Sequence, residues 1–385
     1  MTIREKTFVL FLLYAGFAFA TPPDWKGQVS GWITVNKDDA ENPQLGIRYI
    51  PEVSMNFYSN ENLLIDSEIS ANFFSFRDIQ NNAHESEKKL YRCWLRLSTS
   101  RFEARIGMQK INFGSALLLR PLMWFDTIDP RDPLQLTDGV YSLLLRYYFL
   151  NNANIWLWGL YGNDNLKGAE ILFTKDKTAE FGGRIQYPFG NGEIAATYHH
   201  RKLDLNKTGF YSYSFIDNLP IRVNFEPVME NRYALDGKWD YEIGFWVETA
   251  IIHQEFDFMD YRYRNQLNVG LDYTFPLGNG VHALFEYYYL TFSKQVEFKN
   301  GYEITSFMVD YPLNIFDRIM GIVYFDQENR DLYNFFSWQR SYDNWSFNTI
   351  VFLNPNNSQL SIMQKRESSS YGLGKGFQFM IIYHY

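Results

Sequence analysis

Nine charged side chains are the residues in this 385-residue chain best placed to act on a solute. Arg92, Arg96, Arg105, Arg146 and Arg184 fall at alternate positions of segments that read as strands, so each is expected on the polar face of its strand. Asp126, Asp129, Arg131 and Asp132 fall in a Pro- and Asp-rich stretch between Lys110 and Asp138, which its three prolines make stiff and turned. Glu52, Asp66 and Glu68 lie on segments beside the arginines. Opposed rows of charge across a narrow water-filled opening create a transverse field that orients polar solutes and biases ion choice. The same residues can instead pair with one another and hold the wall and a loop together.

The chain offers less for covalent chemistry. Six histidines (His84, His199, His200, His253, His282 and His384) are scattered without metal-ligand spacing. His199 and His200 are adjacent and so point to opposite faces of a strand. A lone Cys93 excludes a disulfide framework, a cysteine-based cluster and covalent haem attachment within this chain. Gly372-Leu373-Gly374-Lys375-Gly376 enters a strand rather than a helix, so it is no phosphate loop. The expectation is no catalytic residue, no metal site and no cofactor, with a formal charge of −8 that argues against a nucleic-acid partner.

Composition says what must position the charges. Aromatics make up 19% of the chain while its mean hydropathy is −0.32. Alternating strands produce that pairing, because each apolar residue on an outward face is followed by a polar one on the inner face. Residues 1–20 carry Arg4 and Lys6, an apolar run from Phe8 to Phe19, and Ala18-Phe19-Ala20 before Thr21. These features make a secretory signal peptide. Residues 21–385 are read as one domain, since no linker or composition shift divides them. After Ala20 no apolar run is long enough to cross a bilayer as a helix.

From Trp25 onward the segments alternate, for example Leu267, Val269, Leu271, Tyr273 and Phe275 against Gln266, Asn268, Gly270, Asp272 and Thr274. Short Pro/Gly/Asn turns and longer polar breaks alternate between them. The tally predicts a transmembrane antiparallel up-and-down β-barrel of about 18 strands, with 16 as the nearest alternative. The longest breaks are Lys110–Asp138 and Lys202–Glu230.

The last strand carries Phe377, Phe379, Ile381, Tyr383 and Tyr385 on one face. It resembles the closing strand of Gram-negative outer-membrane barrels, which ends on an aromatic residue that the barrel-assembly machinery reads. The stretch from Arg105 through Gly107-Met108-Gln109 and Phe113-Gly114 into Pro121, Asp126, Asp129, Pro130, Asp132 and Pro133 resembles porin-like families of the alginate-export type. Met108 and Phe113 depart from the basic residue and Trp common in those families. The resemblance implies an outer-membrane channel for small polar or charged solutes, its lumen narrowed by residues 110–138. Expected partners are outer-membrane lipid, the assembly machinery, the solutes, and a homo-oligomer or periplasmic partner. The alternatives are a structural barrel sheathing a periplasmic partner or exported polymer, and an outer-membrane barrel hydrolase.

Overall fold

The computed structural model of the protein describes residues 22–37, 39–78, 84–208, 212–213, 220–221, 226–255, 261–356 and 374–385. Residues 1–20, expected from the sequence to be a signal peptide, lie outside the described residues. Eighteen strands form one sheet: β1 (Asp24–Asn36), β2 (Asp39–Ser59), β3 (Leu64–Asp78), β4 (His84–Ser98), β5 (Phe102–Gln109), β6 (Val140–Tyr148), β7 (Asn154–Tyr161), β8 (Ala179–Phe189) and β9 (Gly192–Leu203). The second half is β10 (Val228–Asp240), β11 (Gly244–Gln254), β12 (Tyr263–Phe275), β13 (Val281–Ser293), β14 (Tyr302–Pro312), β15 (Asp317–Asp326), β16 (Asp331–Ser341), β17 (Trp345–Leu353) and β18 (Lys375–His384). Each pairs antiparallel with its neighbours, and β18 returns to β1 in the register Tyr383↔Val29 and Phe377↔Val35. The sheet therefore closes, leaving no unpaired edge.

Alternation sorts the faces as the sequence predicts. Val29, Ile33 and Val35 are half-exposed outside, while Ser30, Trp32 and Thr34 between them are buried inside. Outward rings crowd the end of the barrel that carries the short turns: Tyr49 stacks on Tyr385, Trp345 on Phe347, and Tyr241 on Phe245. An apolar belt edged with aromatics is what a sheet facing lipid requires.

Wall height varies. β5, β6 and β7 have 8, 9 and 8 residues, against 13 for β12 and β13. Gly107 near the end of β5 sits at φ 121°, where an added Cβ would lie 2.1 Å from the Cys93 carbonyl oxygen. No side chain fits there, so β4 and β5 cross closely at this point.

The interior departs from the expected polar lumen. Trp246, Leu284, Tyr288, Ile304, Met308, Ile322, Tyr324, Tyr333, Phe335, Ile350 and Phe352 face inward from β11 and β13 to β17 and form one buried apolar cluster. Ile304, Ile322, Ile350 and Phe352 have no exposed surface at all. On these six of the eighteen strands the inner wall is thus largely a dry core rather than a water-lined surface. The physical reason is that something apolar fills the space in front of it.

Candidate functional site

What fills that space is the segment between β5 and β6. Ala116, Leu118 and Leu119 pack against the apolar wall. Ile111, Phe113, Leu122, Trp124 and Phe125 pack against Val140, Leu144, Trp158, Leu160, Ala234 and Ala250. Half-buried Leu134 reaches Trp32, Phe74, Met380 and Ile382 on the opposite wall. The segment therefore spans the lumen.

Two carboxylates on the wall hold its backbone. Glu286 Oε1 accepts from Leu117 N at 2.7 Å, Glu286 Oε2 accepts from Leu119 N at 2.7 Å, and Leu118 N donates to both oxygens at 3.2 and 3.1 Å. Glu248 Oε1 accepts from Ala116 N at 2.8 Å and also from Ser115 N. Asn268 Nδ2 donates to Leu119 O at 2.8 Å and to Glu286 Oε2 at 3.2 Å. Both glutamates are fully buried. Five successive backbone N–H groups that would otherwise be orphaned in an apolar place are satisfied by these two side chains.

A second segment, residues 162–178 between β7 and β8, locks onto the first. Ala169 N donates to Met123 O at 2.7 Å. Gly168 beside it has φ 49°, and a Cβ there would come within 2.3 Å of the same oxygen. Behind this contact lies a buried ion cluster of Lys167, Arg201 and Arg232 with Glu170, Glu180 and Glu230. Arg201 lies 2.9 Å from Glu170 and 2.5 Å from Glu230, Arg232 lies 2.7 Å from each, and Lys167 lies 3.0 Å from Glu180. Three cations balance three carboxylates, which is how buried charge is tolerated. His199 Nδ1 accepts from Trp158 Nε1 at 3.2 Å, which leaves Nε2–H to donate to Glu180 Oε2 at 3.1 Å. His199 is fully buried beneath Phe125 and Trp158. This cluster has no sequence motif, because its members come from one loop and three strands.

The sequence-predicted charges divide into groups. Arg96 makes a two-pronged pair with Asp66 at 2.8 and 2.6 Å. Glu103 lies between Arg105 (3.2 Å) and Arg146 (3.7 Å) and brings those two together. Trp94 lies against Arg105 (4.7 Å) and Arg96 (5.5 Å), and Trp156 against Arg146 (3.9 Å). Arg92 is elsewhere: its Nη2 donates to Thr137 O at 2.9 Å and ties down the end of the crossing segment. Arg184 is buried in a pair with Asp236 at 2.6 and 2.7 Å.

The loop carboxylates pair within the loop. Asp126 pairs with Arg120, Asp129 pairs with Arg131 at 2.8 Å, and Asp132 accepts from Leu134 N at 2.9 Å in its own turn. Short sequence separation wins here, because each partner is only two to six residues away. Lys110, at the start of the segment, has its pKa lowered by burial against the upward pull of Asp126.

One strip of the inner wall keeps solvent access: Glu52, Asp66, Glu68, Arg96, Arg105, Arg146, Trp156 and Gln186 are all half-buried. These residues lie on β2 to β8, toward the end with the short turns. Of the closing-strand residues, Phe377 and Tyr385 are exposed outward, with Phe379, Ile381 and Tyr383 half-exposed between them. A hydroxyl–imidazole pair, Ser75 Oγ to His84 Nε2 at 3.2 Å, lies on the outward face at the opposite rim.

No family model matches the chain, and no curated protein matches it. Solved structures do. OccAB3 of Acinetobacter baumannii superposes with a TM-score of 0.54 at 8% identity, over 94% of this chain and 99% of that one. OmpT, an outer membrane protein of Vibrio cholerae folded in vitro and in trimer form, gives 0.51 at 11% identity over 95% and 100%. Neither match is to an alginate-export porin, so that likeness rests on the residues between Arg105 and Tyr147 alone. At such identities the shared property is the fold: the chain is a closed, 18-stranded antiparallel barrel of the outer-membrane kind.

Proposed function

We propose that the protein is a Gram-negative outer-membrane channel through which small polar or charged solutes diffuse. The path runs along the solvated strip, between the crossing segment and the wall from β2 to β8. The observation that carries this reading is the contrast between the two inner walls. On one, Ile304, Ile322, Ile350 and Phe352 admit no water, while on the other Arg96, Arg105 and Arg146 keep it. Selectivity resides in those three arginines and in the carboxylates set among them, Asp66, Glu68 and Glu103. Arg92, Arg184, Asp126, Asp129, Arg131 and Asp132 set the aperture by fixing the loop and wall. On this reading residues 1–20 direct export, and the assembly machinery reads Phe377 to Tyr385.

The test is current through the purified protein in planar bilayers under asymmetric salt. Arg96→Glu with Arg105→Glu is expected to move the reversal potential toward cations. An unchanged reversal potential removes the arginines from the filter. A barrel that conducts only after a periplasmic partner is added supports the scaffold reading instead. The hydrolase reading has its foothold in Ser75 and His84, and hydrolysis of lipid or peptide that His84→Ala abolishes would establish it.

A further inference from the structure

A loop that only narrows a lumen leaves water along part of the wall, but this wall loses its water all the way round. Every one of the eighteen strands carries at least one inward residue that is buried. Buried residues also meet between strands: Thr34 opposes Gln378 across the seam, Ser30 opposes Arg48, and Gln109 opposes Val140. The solvated strip lies on the short-turn side of this dry band and stops at it. The band is thin in places. On β2 both Glu52 and Gln44 keep partial exposure, with Arg48 and Ile50 buried between them. On β4 the same holds for Arg96 and Lys89, with Arg92 and Trp94 buried between. On β17 it runs over four inward residues, Ser346, Asn348, Ile350 and Phe352.

The band is also unevenly made. Over β14 to β17 it is mostly apolar and packed. Over β1 to β3 it is polar: Ser30 Oγ, Thr34 Oγ1, Ser70 Oγ and Asn72 Oδ1 have neither solvent nor a hydrogen-bond partner among the described residues. Each such group is destabilising while dry and is satisfied once water reaches it. What lies over them is the arm of residues 126–138. Leu134 packs against the cluster of Trp32, which stands between Ser30 and Thr34, and Phe74, the next inward residue after Asn72. Arg92, directly opposite Ser70, donates to Thr137 O at 2.9 Å. The arm is braced from within: Asp126 pairs with Arg120 at its root, Asp129 pairs with Arg131 at 2.8 Å, and Asp132 accepts from Leu134 N at 2.9 Å. Such an arm moves as one body. The limb before it, residues 115–119, is tied to Glu248 and Glu286 on the far wall and stays in place.

We propose that residues 126–138 are a gate: the barrel is closed at rest, and it opens when this arm leaves β1 to β4 and water enters the dry band there. The proposal rests on the channel reading and adds its regulation. Opening joins the solvated strip to the loop end of the barrel and adds Arg48 and Arg92 to the water-lined wall beyond Arg96. It exchanges the apolar contact of Leu134 for hydration of the orphaned hydroxyls and amide oxygen on β1 and β3. Because these contributions oppose each other, single side chains on either face set the balance between the two states.

The experiment is single-channel recording of the full-length mature protein in planar bilayers at low voltage. Wild type is expected to stay closed for most of the record, with brief openings. Leu134→Ser, which removes the arm's apolar contact, is expected to raise the open fraction about tenfold. Arg92→Met loosens the arm at a different hold and should act in the same direction. Thr34→Val replaces an orphaned hydroxyl by a methyl of the same shape, and added to Leu134→Ser it should lower the open fraction about tenfold again. Unheated gel mobility identifies variants that have kept the folded barrel. Steady wild-type conductance without closures overturns the gate while leaving the channel reading standing. So does an open fraction that folded Leu134→Ser and Arg92→Met leave unchanged, or that Thr34→Val raises. Absence of current from wild type and from both loosened variants overturns the channel reading, and the gate with it.

Discussion

Removing the carboxylate of Glu286 should free the crossing segment without unfolding the barrel. In Glu286→Ala three backbone donors, from Leu117, Leu118 and Leu119, lose their acceptor, and Asn268 loses one of its two. A hydrogen bond to a charged group is worth about 1.5–3 kcal/mol net, so three lost together set a ceiling of about 9 kcal/mol. Two effects reduce it: water can enter the space the side chain leaves, and the wild type bears the cost of burying a carboxylate. A net loss of about 4 kcal/mol is the working figure from the lower half of that range. At about 1.4 kcal/mol per factor of ten, local opening rises about a thousandfold. The assay is amide hydrogen exchange of the detergent-solubilised protein, read on peptides spanning residues 113–120. Exchange there should accelerate by about that factor, while peptides from β14 to β17 keep their protection. Glu286→Gln keeps one acceptor oxygen and should fall between the two. Unchanged protection of residues 115–119 in Glu286→Ala refutes the view that this side chain holds the segment.

Other perturbations test other parts of the molecule. Arg184→Met leaves Asp236 buried and unpaired and should destabilise the barrel by about 3–5 kcal/mol; the thermal shift in gel mobility measures it, and adding Asp236→Leu should restore much of the loss. Gly168→Ala drives a Cβ into the Met123 carbonyl oxygen and should loosen residues 162–178 by about 1–3 kcal/mol, the cost of a strained backbone position, read as faster exchange of the Ala169 amide. Tyr385→Ala removes the hydroxyl contact to Tyr49 at 3.0 Å and the terminal aromatic ring; the amount reaching the outer membrane should fall, measured against wild type in fractionated cells.

Much of the scaffold was legible because its signal is local. The period of two placed Leu267 to Phe275 in a strand, and the Pro/Gly/Asn turns marked the short ends. Strand ends toward the loops were read short: the alternation from Leu267 to Phe275 is part of Tyr263–Phe275. Polar residues there continue the ladder above the lipid, where hydrophobicity carries no information. Of the Lys202–Glu230 break, Lys202, Leu203 and Val228 to Glu230 belong to strands, and residues 209–211, 214–219 and 222–225 lie outside the described residues. The stiffness of residues 110–138 pointed to a structured loop, yet its holders, Glu248 and Glu286, stand more than 130 residues away in the chain. Nothing near Leu117 could announce them. The loop carboxylates looked available to face the wall only because their partners within the loop were not counted first. Residues 162–178 carry too few repeated features to be singled out without Arg201 and Arg232 in view.

The dry inner wall bears on how the barrel finds its pairing. Where one face of a strand is polar, a slip by one residue turns the wrong face to the membrane and is rejected at once. At Ile350-Val351-Phe352-Leu353 and at Met380-Ile381-Ile382 both faces are greasy, so such a slip exchanges like for like. The correct alignment there depends on sparse polar markers, Ser346 and Asn348 opposite Ile382 and Met380, and Gln378 opposite Ile350. Erasing those three polar side chains should therefore leave a barrel that still inserts but closes in more than one alignment.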